Sequence, residues 1–83
     1  MNTQEYQPRY VAYATAHGKT PDAMMAHDTE EYPGGKMCGF ICWMSEQKQA
    51  FRKASPRAFM GDNIADQDAW TKFLQTVAKS QQS

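Results

Sequence analysis

The sequence predicts an all-α domain, a small bundle of about four short helices around a central third helix, and three observations predict it. Apolar residues recur at helical spacing in four segments, and clear start and stop residues separate those segments. No run alternates apolar and polar residues with β-branched enrichment, and the chain has only two isoleucines and two valines, so strands are not expected.

The first helix is expected over about Pro8 to Ala16, with Tyr6, Tyr10, Tyr13 and His17 along one side and Val11 and Ala14 nearby. Gly18 stands where a C-terminal cap belongs. Thr20 offers a side-chain oxygen as N-cap, Pro21 suits the first helical position, and Asp22 meets the positive end of the dipole. A second helix from about Pro21 to Glu31 follows. Tyr32-Pro33-Gly34-Gly35 ends it, because proline restricts the residue before it and paired glycines favour a turn.

The third helix is expected to be the longest, from about Lys36 to Ala54. Met37, Phe40, Ile41, Met44 and Phe51 recur at helical spacing, with Trp43, Ala50 and Ala54 on one flank of the stripe. Ser55-Pro56 and Gly61-Asp62-Asn63 break the pattern, leaving room for a single turn around Arg57 to Met60, pinned to the core by Phe59, Met60 and Ile64. Asp66 is the expected N-cap of the last helix, in which Trp70, Phe73, Leu74 and Val77 follow the spacing i, i+3, i+4, i+7.

With 83 residues and 9.4 kDa the chain suits one domain, with a core over about 6–79 and a frayed tail at 80–83. Folding should leave roughly 5,000 Å² exposed of about 13,600 Å² in the unfolded chain, a modest core that argues against a large enclosed active site. Apolar residues at 41% and aromatics at 12% make it a folding sequence. Nine basic residues balance nine acidic ones, so no global field draws it to nucleic acid or an anionic membrane. The opening MNTQEYQPRY lacks a basic end followed by an apolar run, and no stretch approaches a membrane span, so a reducing cytoplasm is the expected compartment.

Cys38 and Cys42 lie one helical turn apart on the same face. Their spacing is too wide for an internal disulfide and carries one residue too many for a redox motif. A metal would need two further ligands; His17 and His27 are the only histidines, and the spacing matches none of the familiar zinc modules, so no metal and no cofactor is expected. On a helical wheel Cys38, Cys42, Ser45, Gln49 and Lys53 fall opposite Met37, Phe40, Met44 and Phe51. Free cysteine is commonly buried, so the first expectation is a third helix covered on two sides; the sharper one is a face that meets a partner chain.

Charge is uneven although the total cancels. Residues 1–35 hold Arg9 and Lys19 against Glu5, Asp22, Asp28, Glu30 and Glu31, whereas Lys36, Lys48, Arg52, Lys53 and Arg57 face only Glu46 in residues 36–57. The basic cluster could contact phosphates or an acidic protein surface. The simpler expectation is that the acidic second helix and the basic third helix neutralise each other. A helix-turn-helix is not expected, since the turn before the third helix is glycine-rich and that helix is the most apolar one.

Gly34, Gly35 and Lys36, leading into a helix, are the candidate anion site: backbone N–H groups at the positive end of a dipole, with an added cation. They are not a Walker loop, because the glycine spacing and the following Ser or Thr are absent. Catalytic constellations are thin. His17 sits where a helix-terminal histidine meets the carbonyl end, and His27 adjoins Asp28, a pairing in which direct contact between base and orienter is not expected on a short helix. The chain is not expected to be an enzyme.

The combination Arg9-Tyr10, Tyr13, His17-Gly18, Thr20-Pro21, Met24, Asp28, Tyr32-Pro33-Gly34-Gly35, Met37, Gly39-Phe40 and Trp43 resembles a group of small uncharacterised proteins encoded by bacteriophages and prophages. The resemblance covers residues 9–51 and transfers no site residue. It implies a setting inside an infected bacterium, where such genes often encode inhibitors or adaptors of host or defence components. The leading expectation is therefore a non-enzymatic interaction protein, monomer or homo-oligomer, that binds a host or defence protein through Cys42, Lys48, Gln49, Arg52, Lys53 and Arg57. The alternative is a small-ligand binder holding a phosphate or nucleotide at Gly34, Gly35 and Lys36. A DNA-binding module using the basic cluster comes third, and a membrane partner is not expected.

Overall fold

The computed structural model describes residues 6–82. In chain order these form α1 (Pro8–Ala16), α2 (Pro21–Glu31), α3 (Cys38–Ala54), a 3-10 turn (Pro56–Ala58), two short strands β1 (Phe59–Met60) and β2 (Asn63–Ile64), and α4 (Gln67–Gln81). The architecture is the expected all-α one of four helices.

Local chemistry explains most boundaries. At the end of α1, Gly18 takes φ +70°, its N–H bonds Thr15 O, and the Lys19 N–H reaches back to Ala14 O, so two of the last carbonyls are satisfied. Thr20 caps α2 by accepting the Ala23 N–H at 3.2 Å. The chain then reverses at Tyr32–Gly35. Pro33 at the second position and Gly34 at the third with φ +81°, closed by Gly35 N–H to Tyr32 O at 2.9 Å, are the requirements of a type II turn.

Three expectations change. The third helix begins at Cys38 and not at Lys36, because a second turn, Cys38 N–H to Gly35 O at 2.9 Å, takes up Lys36 and Met37. The connection after α3 is a 3-10 turn followed by a two-residue antiparallel ladder, Phe59 opposite Ile64 and Met60 opposite Asn63. Gly61 alone has positive φ in its two-residue loop, the pattern of a type II′ hairpin. Finally, α4 runs through Gln81 and is not frayed from Ser80: the Gln81 side-chain oxygen accepts the Trp43 indole N–H at 3.1 Å, tying the last turn to α3. Ser83 lies outside the described residues.

The core has two aromatic ends joined by α3. At one end Tyr10 and Tyr13 of α1 meet Phe40 of α3, with centroids 5.3 and 5.5 Å away, and Tyr13 also meets Trp43 at 5.7 Å. At the other, Phe51 of α3 contacts Phe59, Trp70 and Phe73 at 5.6, 5.2 and 5.1 Å. Such tilted pairs add to the area they bury. Five of the nine residues of α1 are buried but only four of the seventeen in α3, namely Phe40, Trp43, Gln47 and Phe51. The expectation that α3 is covered on two sides is therefore corrected. Both cysteines are exposed, since one face of α3 supplies both core ends and none of the described helices covers its opposite face.

Candidate interaction surface

The outward face of α3 is a continuous stripe. Cys38, Ile41, Cys42, Ser45, Lys48, Gln49 and Arg52, spaced by three and four residues, are all exposed. Ile41 decides its character: an isoleucine 62% exposed between two free thiols is a buried-type residue left in water. The face grades from apolar at the start of the helix to cationic at its end, where Lys53 and Arg57 are also exposed.

The two charge blocks do not neutralise each other. Among the described residues the ion pairs are His27 with Asp28 and Arg52 with Asp62, and neither joins α2 to α3. The expected pairing fails because the inward side of α3 is apolar and its cations point away. Arg52 is held by the hairpin, 3.2 Å from Asp62 and 5.3 Å above the Phe59 ring. With both partners of that pair solvent-exposed, it contributes little stability. Of the expected contact residues, Cys42, Lys48, Gln49 and Lys53 thus stand on the outer side of α3, Arg52 leans onto the hairpin, and Arg57 lies in the 3-10 turn.

The glycine turn has a different geometry from a phosphate cradle. The Gly35 N–H is donated to Tyr32 O, α3 begins three residues after Gly35, and Gly34 and Lys36 are exposed. These donors close the reversal. One open groove of about 370 Å³ lies elsewhere, between α1 and α4, lined by Val11, Thr15, Gln75 and Lys79 among others.

A buried polar cluster escaped the sequence reading. Asp28 is only 1% exposed; its Oδ2 accepts the Tyr13 hydroxyl at 2.9 Å, and its Oδ1 lies 3.0 Å from His27 Nδ1. The adjacent His27 and Asp28 therefore do touch, contrary to expectation, because Asp28 turns inward and the His27 ring folds back over it. Against a carboxylate, Nδ1 is the donor, and the ring is half-exposed. Burial, then the Asp28 hydrogen bond, pushes the Tyr13 hydroxyl far above the usual tyrosine range. His17 Nδ1 donates to Tyr13 O at 2.9 Å, as its position at the helix end suggests.

Gly39 completes the cluster from α3. A β-carbon there would lie 2.5 Å from the Tyr13 hydroxyl and 3.4 Å from the Tyr32 ring, so only glycine lets α3 approach. His17, Asp28, Tyr32, Gly39, Phe40 and Trp43 thus gather around the Tyr13 side chain. Two signals pointed to this cluster: Asp28 shares a stripe with Met24, and a glycine interrupts an otherwise strong helix.

No protein-family model, curated protein or solved structure matches the chain. No helix among the described residues is long and apolar enough to cross a membrane.

Proposed function

We propose that the chain is a non-enzymatic interaction protein that binds an acidic surface of a protein partner, stoichiometrically, through the outward face of α3. One observation carries the reading: Lys48, Lys53 and Arg57 have no ion-pair partner among the described residues, and they continue a face that already exposes Ile41. Unpaired cations beside exposed apolar surface suit a contact in which charge steers encounter and the apolar part is buried. Its resemblance to small phage proteins supplies the setting, a bacterial host or defence protein as the partner in the host cytoplasm.

The experiment is capture of a partner from bacterial lysate by the full chain, compared with a Lys48→Glu/Lys53→Glu variant of unchanged circular dichroism. A specific, salt-sensitive partner that the variant loses supports the proposal. Equal capture by both proteins, or a wild-type melting temperature raised by nucleotide and not in Lys36→Ala, contradicts it.

A further inference from the structure

We infer that Cys38 and Cys42 form half of a metal site, completed by the same two cysteines of a second copy of this chain, so that a zinc-type divalent ion bridges two α3 helices. Burial was the reason to regard these thiols as inert, and both are exposed. Side chains one turn apart have β-carbons about 5–6 Å from each other, too far for a disulfide. A shared ion suits them better, since tetrahedral bonds of about 2.3 Å place two thiolate sulfurs about 3.8 Å apart, within reach of ordinary rotamers.

Counting donors identifies the occupant. Two thiolates fill half of a tetrahedral shell, and among the described residues no group of three or more His, Cys, Asp or Glu side chains is placed to share an ion. Neither histidine joins the two cysteines in such a group. A second copy brings an identical pair, and a two-fold axis through the ion makes every contact reciprocal. Ile41 lies between the cysteines and meets its own copy across that axis, removing an exposed apolar side chain from water.

Electrostatics favours the same arrangement. Four thiolates on a divalent ion leave two negative charges, and Cys38 is the first residue of α3, where the helix dipole is positive and Lys36 stands two residues before. Each copy contributes that positive end. Antiparallel crossing at the cysteines sends the two Lys48 and Arg52 ends in opposite directions. The basic half of each α3 stays open, but Ile41 and Cys42 belong to both surfaces, so the metal-bridged dimer and the partner complex compete for the start of α3.

Zinc or cobalt(II) added to the reduced, chelator-treated full chain tests this. The expected result is one metal per two chains, a doubling of mass in sedimentation, and the visible and charge-transfer bands of tetrahedral cobalt thiolate. All three should be lost in Cys42→Ser, whose exposed position leaves the circular dichroism unchanged, and chelator should return the wild type to monomer. Ile41→Glu should weaken the dimer. Absence of binding, one metal per monomer, or binding and dimerisation that survive Cys42→Ser would overturn the inference.

Discussion

The two ends of the core solve the same packing problem differently. Where α3 meets α1, the aromatic residues are mostly tyrosines, and they close over a carboxylate, a histidine ring and a glycine. Where α3 meets the hairpin and α4, Phe51 packs among Phe59, Trp70 and Phe73 through ring contacts, with no side-chain hydrogen bond joining these residues. The difference teaches that stability and uniqueness come from separate places. The Phe51 end is held by buried area and tolerates volume-conserving change, whereas the Tyr13 end depends on particular atoms meeting at hydrogen-bond distance.

Truncation should therefore cost most at the dry end. Phe51→Ala removes a side chain 1% exposed and should cost about 3–5 kcal/mol, a large part of the roughly 4–12 kcal/mol typical of a domain this size. Urea unfolding measures it, and a loss near zero would mean that the end is already loose. Tyr13→Phe keeps the ring but leaves Asp28 Oδ2 buried without its donor, for an expected loss of about 1–3 kcal/mol. No isosteric change at the Phe51 end has an equivalent.

Gly39→Ala sharpens the comparison further. Helix propensity alone would favour alanine by about 1 kcal/mol, yet its β-carbon would fall 2.5 Å from the Tyr13 hydroxyl, so the net effect should be destabilising. In a Tyr13→Phe background the clash is with an atom no longer present. The double mutant should then be less destabilised than the two single changes together, and strict additivity would place Gly39 and Tyr13 apart.

The smallest effect is one of pH. Tyr13 holds its proton in the fold above the usual tyrosine range, so the unfolded chain releases that proton first. Its contribution is complete below about pH 10 and is lost as pH rises beyond that value. Tyr13→Phe should flatten the decline between neutral and alkaline pH, with the remainder due to Tyr10, which burial also shifts upward, and Tyr6, which its hydrogen bond to Asp22 shifts the same way.

Much of this fold was legible in residues with strong local rules. The limits of α1 and α2 follow from Pro8, Gly18, Thr20, Pro21 and Pro33-Gly34, each of which acts on the backbone within a few residues of itself. The start of α3 was displaced because Lys36 and Met37 suit a helix yet are consumed by a turn that depends on Gly35 O. Two-residue strands have no period to read, and a helical wheel does not say whether another helix covers its second face. For that reason the basic stripe was visible, but the exposure of Cys38, Ile41 and Cys42 was not. The contact between Asp28 and Tyr13 joins residues fifteen positions apart on different helices, beyond any local pattern.

Thiol reactivity in the native, chelator-treated monomer tests the central claim, that the outward face of α3 is open. Both Cys38 and Cys42 should react with an aromatic disulfide reagent without denaturant, at rates close to those of the unfolded chain. Modification only as fast as the protein unfolds would show that face to be covered and would contradict the account.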